Sequence, residues 1–485
     1  MIVTILPYKK DIFAKKGDNL LNALCLGGFV MYAPCGGNGT CNKCKVRIVS
    51  GEVGGGCIDE NGYVNACKTE IVSDLVVEIS ENFIPTENDK KQYKDTKSKE
   101  EFVSILDLGT TTLVMQYVHL KSNRIVETLS ELNPQSAFGG DVMSRIEHYK
   151  TNGNVLTELI IKKVGEMMNV LSSKWGKAKH LVVCANTVML HIFAGISPLG
   201  MGEYPYEPIF TNEKIISAKV KNIGVEKIIL LPSATAFIGS DAIACLVSGA
   251  LDEKKIQLIV DVGTNGEIML NIQGKIYATS VSAGPALEGA TIECGSGAFS
   301  GAIKSVSNKN KKISLTTIGN TQPKSICGSG LVDAIAVMLE LGILDERGTF
   351  VGQEQKFYVS ENVFITQKDV RQFQLVKGAI ASGINVLMQY ANINIDDVDE
   401  VLLAGALGNS MSVDSIVKVG LLPRFNAKTI KLVGNLALKG ALNYALNSEV
   451  RQKANEITKT LNVLNLATSD TFQSEFLKNM DFINQ

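Results

Sequence analysis

The chain has 485 residues, 45% of them hydrophobic, with a formal charge of -1 and ten cysteines. This length supports more than one domain with a sizeable core, the charge balance excludes a general attraction to nucleic acid, and ten cysteines in so long a chain do not make a disulfide scaffold. No run reads as a secretory signal or membrane span, because Lys, Asp and Gly interrupt each apolar stretch, so a cytoplasmic location is expected.

Residues 1–82 open with strand patterns at 2–6 and 12–14, then a helix pattern at 19–26. Asp18 is expected to cap that helix, and Leu20, Leu21 and Leu24 form its apolar face. PCGGNGTCNKC follows at 34–44, where five and then two residues separate Cys35, Cys41 and Cys44. Three close thiols, a loop kept small by glycines, and the charges of Lys43 and Lys45 point to an iron–sulfur centre. The plant-type [2Fe-2S] pattern has about four residues in the first gap, and a zinc ribbon wants paired cysteines about two to four apart. Zinc or unligated thiols are the alternative.

Cys57 and Cys67 are both candidates for a fourth ligand. Cys67 is preferred, because the alternating segment 71–79 can hold it against the loop, whereas Cys57 lies in a glycine-rich turn and reads as a surface thiol. With further strands at 46–49 and 72–79, a short helix on a small mixed sheet fits a β-grasp electron-transfer domain. The charged run at 86–100 has no apolar face, which predicts a flexible linker over 83–101.

A strand pattern at 102–106 then ends in Asp107-Leu108-Gly109-Thr110-Thr111-Thr112, and one at 256–260 ends in Asp261-Val262-Gly263-Thr264-Asn265-Gly266-Glu267. Glycine lets backbone approach phosphate, threonine adds a hydroxyl, and aspartate can hold Mg²⁺ or its waters. One such turn could be an ordinary hairpin. Two of them predict a duplicated nucleotide-binding fold with its cleft between the halves, and neither is a P-loop.

Strand patterns at 180–184 and 229–231 lead into Ala185-Asn186-Thr187 and Pro232-Ser233-Ala234-Thr235, loops expected to line the same cleft. Asp141 reads equally as a helix cap and as a metal-side or gating residue. Gly328-Ser329-Gly330 enters a helix pattern and can aim backbone N–H groups at phosphate, although a helix restart needs the same residues. The clearest helix is 366–390, with Thr366 and Asp369 as a capping pair and Val370, Phe373, Val376, Ile380, Ile384 and Leu387 facing the core. A strand at 401–403 ends in a small-residue loop through Gly405 and Gly408 that could accept an adenine ring. The last thirty residues carry too weak a pattern to classify. Cys25, Cys184, Cys245, Cys294 and Cys327 read as buried inert thiols.

Through PCGGNGTCNKCKVRI, NAC at Cys67, DLGTT, NPQSAFGGDVMSRI, NTVMLHIFAGISP, FIGSDAIA, DVGTNGE, ALEGATIECG, ICGSGLVDA and LAGALGN, the whole chain resembles the reductive activators of corrinoid proteins. The resemblance implies an α+β and α/β architecture. An N-terminal β-grasp ferredoxin-like domain would be tethered to a duplicated actin-like ATPase domain at 102–485, with subdomains near 102–254 and 255–455 and a C-terminal extension. It implies ATP-dependent, one-electron reduction of a corrinoid protein from Co(II) to Co(I), restoring methyl transfer in a methyltransferase system. A low-potential donor such as ferredoxin or flavodoxin would supply the electron.

The implied cluster ligands are Cys35, Cys41, Cys44 and Cys67. Asp107, Asp261 and Glu267 are the candidates for holding Mg²⁺ or positioning water, and the sequence does not choose among them. Gly109, Thr110, Thr111, Asn186, Gly263, Thr264, Asn265, Gly266, Gly328, Ser329, Gly330, Gly405 and Gly408 are the candidates for holding ATP. The chain departs from longer members by running from tether to Asp107 with no sizeable middle domain, and Ala185 stands where relatives usually have glycine. Homodimerisation is left open. Rival readings are a small-molecule kinase, an activator of 2-hydroxyacyl dehydratases, and an ATP-binding redox sensor.

Overall fold

The computed structural model describes residues 1–29, 31, 33, 39, 42–79, 101–217, 223–309, 312–405, 411–466 and 469–482, with only the backbone of 151 and 152. Cys35, Cys41, Gly408 and residues 83–100 of the expected linker lie outside the described residues.

The N-terminal unit is a mixed five-stranded sheet in the order Lys10–Phe13, Ile2–Leu6, Leu75–Glu78, Lys45–Ser50, Tyr63–Asn65. Ile2–Leu6 runs antiparallel to Lys10–Phe13 and parallel to Leu75–Glu78, and the inward-facing Val3, Ile5 and Val77 are fully buried. The helix Leu20–Leu26 seals this core with Leu20, Leu21 and Leu24. Its cap is Asn19, whose side chain accepts from Asn22 N at 3.2 Å, whereas Asp18 accepts from Lys15 N at 2.7 Å in the preceding turn. The strand expected at 72–79 begins only at Leu75. Thr69–Ile71 pairs with Val53–Gly55, and Ser73 and Asp74 turn the chain by accepting from Glu52 N and Ile2 N at 2.7 and 2.8 Å.

Two larger six-stranded sheets follow, and they share a topology. In the first half, Phe102–Leu108, Thr112–His119 and Arg124–Leu132 form an antiparallel meander, and Ala178–Cys184 and then Lys227–Leu230 add in parallel beyond the first strand. In the second half, Ile256–Val262, Gly266–Ile272 and Lys275–Val281 form the meander, with Glu400–Ala404 and Ile430–Gly434 added in parallel. These five strands stand in the same spatial order in both sheets, which is a duplicated fold, and only the sixth strand differs: Lys214–Ser217 adds antiparallel to Lys227–Leu230 in the first, and Asn462–Val463 adds to Lys275–Val281 in the second. The near-continuous burial of Phe102–Leu108 and Ile256–Val262 reflects layers packed on both faces.

Both Asp-containing turns are β-hairpins. The first strands run on past the expected ends, so Asp107 pairs with Val114, and Asp261 sits directly opposite Glu267. The helix Gln367–Tyr390 has a Thr366–Asp369 capping box, and all six predicted core positions are buried. The unclassified C-terminal segment completes the second half: Asn462–Val463 adds in parallel to Lys275–Val281, and Asp470–Asn479 packs on Gln367–Tyr390. Among the described residues no helix is long and apolar enough to cross a membrane.

Candidate functional site

The Phe102–Leu108 and Ile256–Val262 strands deliver Asp107 and Asp261 to one place. Asn435, which caps Leu436–Leu446 from the second half, donates to Asp107 Oδ2 at 2.6 Å. Glu267 comes from the strand paired with Asp261, and a fourth acid, Asp241, comes from the first turn of Ser240–Leu246. Burial raises all four carboxyls above their ordinary range. Asp107 is pushed up to about 6 and Asp241 to about 7, with repulsion from Asp261 adding to the burial effect in both. Glu267 is pushed well up by burial and by repulsion from Asp241 and Asp261, and Asp261 is raised by burial, partly offset by the Cys245 thiol at 3.3 Å. Among the described residues no Lys or Arg forms an ion pair with any of these acids. No three of these acids form a cage for a bare metal ion, so the cation they suit is a hydrated one such as Mg²⁺, which takes one or two carboxylates and completes its shell with water and phosphate.

The hydroxyls of Thr111 and Thr264, one from each turn, both donate to Glu288 Oε2, at 2.5 and 2.7 Å. Asn186 Nδ2 donates to Thr110 Oγ1 at 3.2 Å while its side-chain oxygen caps Thr187–Ala194. Gly109 cannot carry a side chain, because a Cβ would meet Thr112 O at 2.4 Å, and Asn133 Nδ2 secures the Gly109 carbonyl at 2.9 Å. Gly263 N donates to Asn265 O at 3.0 Å and closes the second turn ahead of Gly266. Gly405, at φ +97°, lies against the Asp261 carboxylate, where a Cβ would come within 2.7 Å of Oδ1. The Asp, Gly and Thr residues of both turns, Asn186 and Gly405 therefore meet in one cleft.

Gly328, Ser329 and Gly330 open the helix Gly328–Glu340, but they are buried against the strand Ala302–Lys309. Ser329 donates to Lys304 O at 2.8 Å, and a Cβ at Gly330 would meet Ile303 O at 2.2 Å. The close packing of helix on strand accounts for these residues. Asp141 caps Val142–Trp175 in a capping box with Ser144. Asp241 and Glu288 escaped the residue-level reading, although both lie in stretches, FIGSDAIA and ALEGATIECG, that stand out in the sequence. An acid in a helix's first turn reads as a dipole partner, and only the tertiary fold turns it toward the cleft.

In the N-terminal unit, Cys44 and Cys67 are buried on adjoining backbone segments: Ala66 N donates to Cys44 O at 3.0 Å, and Asn19 Nδ2 holds Cys67 O at 2.9 Å. Cys57 is exposed. The thiol of Cys25 is pushed up to about 12 by burial, so it stays protonated. Among the described residues no three His, Cys, Asp or Glu side chains form a metal cage. Two soft, buried, sheet-anchored thiols beside Lys43 fit an iron–sulfur centre.

This unit rests on both halves of the rest of the chain. Leu21, Asn22 and Cys67 face Ala137, Phe138 and His148 across a cavity of about 200 Å³, and Lys162 Nζ donates to Leu26 O at 3.0 Å. Lys43 Nζ donates to the carbonyls of Ile292, Glu293 and Gly295 at 2.8, 3.0 and 3.1 Å.

Duplicated sheets with acidic hairpins facing across a cleft define the actin-like ATPase class. Residues 255–485 match the family described as the C-terminal domain of RACo, the ASKHA domain, and residues 103–254 match the RACo middle region. The region matched to the RACo middle contains Asp107 and begins directly after the expected tether. The chain is 31% identical over 422 residues to the corrinoid activation enzyme RamQ of Eubacterium limosum, covering 80% of this chain and 71% of that one. It is 26% identical over 418 residues to a Co(II) methylated amine-specific corrinoid protein reductase of Methanosarcina barkeri, covering 78% of this chain and 77% of that one. The solved structure of a reductive activator for corrinoid, iron-sulfur protein superposes with a TM-score of 0.72 at 25% identity, covering 99% of this chain and 98% of that one. The chain belongs to the RACo family.

Proposed function

We propose that this chain performs ATP-dependent, one-electron reductive activation of a corrinoid protein, returning Co(II) to Co(I) so that methyl transfer resumes. The reading is carried by the joining in one chain of a cysteine loop and a nucleotide cleft through one segment, whose Glu288 accepts from Thr111 and Thr264 and whose carbonyls at Ile292, Glu293 and Gly295 accept from Lys43. The relatives' names, corrinoid activation enzyme and corrinoid protein reductase, support the same activity. In this reading residues 1–82 are the electron-transfer domain, 83–101 the linker and 102–485 the ATPase.

Cys35, Cys41, Cys44 and Cys67 would hold the cluster, with the backbone at Cys44 held by Ala66 N and at Cys67 by Asn19 Nδ2. When bound there, a [2Fe-2S] centre supplies a one-electron couple, recharged by a low-potential donor such as ferredoxin or flavodoxin. Thr110, Thr111, Thr264 and the backbone of Gly109, Gly263, Asn265 and Gly266 receive the phosphates. One or two of the carboxylates of Asp107, Asp261, Glu267 and Asp241 would hold a hydrated Mg²⁺ and orient its waters, and Gly405 and Gly408 would receive the base. ATP acts by altering cobalt coordination or the geometry of the complex, because its binding or hydrolysis drives an uphill electron transfer only through two states with different partner contacts.

The test is anaerobic absorbance of a Co(II) corrinoid protein mixed with the cluster-loaded chain and a reductant, with and without ATP. Co(I) should form only with ATP, fail to form with Cys67→Ala, and still form with Cys57→Ala. Unchanged Co(II), or an obligatory phosphorylated corrinoid or protein intermediate, would sink the proposal.

A further inference from the structure

The three carbonyls that hold Lys43 belong to a short segment whose other end reaches the nucleotide cleft. Gly284 N donates to Thr264 O at 3.0 Å, and four residues on, Glu288 collects the hydroxyls of Thr111 and Thr264. The chain then folds tightly on itself. A Cβ on Gly289 would meet Ser296 N at 2.3 Å, and one on Gly295 would meet Gly289 O at 2.5 Å, so the two ends of this turn touch with no side chain between them. Glu293 N is fixed to Asp369 Oδ1 at 2.8 Å, and Ser296 N to Ile326 O at 2.9 Å. A displacement at Glu288 therefore passes directly to the carbonyls around Lys43, since close-packed segments shift as a body.

Glu288 and a nucleotide compete at the cleft. The two hydroxyls that Glu288 accepts are the ones the phosphate turns offer, and a carboxylate and a phosphate are both anionic acceptors. Phosphate arriving between Thr111 and Thr264 takes their donors and repels the Glu288 carboxylate.

We propose that residues 284–296 form a nucleotide-operated latch, in which Glu288 senses phosphate and the carbonyls of Ile292, Glu293 and Gly295 hold the cysteine loop through Lys43. Nucleotide displaces Glu288, opens the carbonyl cup and frees the N-terminal unit to turn its cysteine loop toward a partner. Lys43 and Glu288 are positioning residues in this account, which rests on the reading of the cleft as an ATP site.

The experiment uses the full, cluster-loaded chain and an amine-acylating reagent, with modification at each lysine read by mass spectrometry. A non-hydrolysable ATP analogue with Mg²⁺ should raise Lys43 acylation about fivefold or more, while exposed Lys9 stays constant. Glu288→Gln and Thr111→Val should each raise Lys43 acylation without nucleotide, with melting temperature checking the fold. By reciprocity, Lys43→Gln should bind the analogue several-fold tighter in calorimetry, an effect that a purely structural lysine remote from the cleft would not produce. Calorimetric binding with unchanged Lys43 acylation overturns the latch alone. Absence of analogue binding overturns the cleft reading and the latch with it.

Discussion

Arg145 is fully buried beneath the turn that follows Asp107. Its Nε donates to Gly139 O at 3.1 Å, one terminal nitrogen reaches Gln135 Oε1 at 3.2 Å and Met189 Sδ at 2.9 Å, and the other donates to the Thr110 carbonyl. Burial pulls the guanidinium down to about 9, opposed by Asp141 and Glu288. Arg145→Met should cost on the order of 3 kcal/mol in urea denaturation, because the Thr110 and Gly139 carbonyls lose a charged donor, and it should weaken nucleotide binding by loosening the turn. Arg145→Lys should recover only part of this, since a point charge cannot reproduce the planar fork. Nothing in MSRIEHY announces that role, because an Arg in a helix's first turn reads as a surface charge. Asp107 and Asp261 were readable because each closes an apolar strand ahead of Gly-Thr, a local pattern. Asp241 and Glu288 were not, because their role depends on which strand ends the fold brings together.

Among the elements, the helix Gln367–Tyr390 was legible from its period and its cap, since a buried stripe of this length repeats often enough to dominate the local sequence. Asn462–Val463 was not legible, because two residues cannot show alternation and the strand exists only through its pairing with Tyr277 and Ala278. The crossing of Ser240–Leu246 with Leu436–Leu446 was equally hidden. Gly440 reads as a weak helix former, yet a Cβ there would fall 1.7 Å from Ala244 O, so its absence lets the helices carrying Asp241 and following Asn435 touch. Gly440→Ala gains helix propensity but must separate these backbones, so a net loss of about 1–3 kcal/mol is expected in denaturant titration. The same separation should weaken the Asn435–Asp107 hydrogen bond and reduce ATPase turnover.

Across the whole molecule, the duplication was legible because the Asp-x-Gly-Thr signature repeats after an apolar strand, whereas the docking of the N-terminal unit was not, because it depends on a lysine meeting three backbone carbonyls. The cleft joins the halves through carboxylates of one sign: Asp107 and Asp241 from the first, Asp261 and Glu267 from the second. Their folded-state values lie above the unfolded ones, so the folded chain retains protons that the unfolded chain has already released. For Asp107 and Asp241, stability is then undiminished below the unfolded value of 3.8 and is lost as pH rises through about 6 and about 7. Without nucleotide, the melting temperature at pH 8 should fall below that at pH 5.5 by at least about 3 °C in scanning calorimetry. Mg²⁺ with an ATP analogue should remove most of that gap, because the cation supplies the opposite charge and binds the folded state alone. Asp241→Asn should raise the nucleotide-free melting temperature at pH 8 and flatten the pH profile while weakening Mg²⁺–nucleotide binding, the exchange expected where acids are gathered for a cation at the cost of stability. A nucleotide-free profile that is flat, or that rises toward pH 8 in the wild type and the variant alike, would show that these acids do not strain the join between the halves.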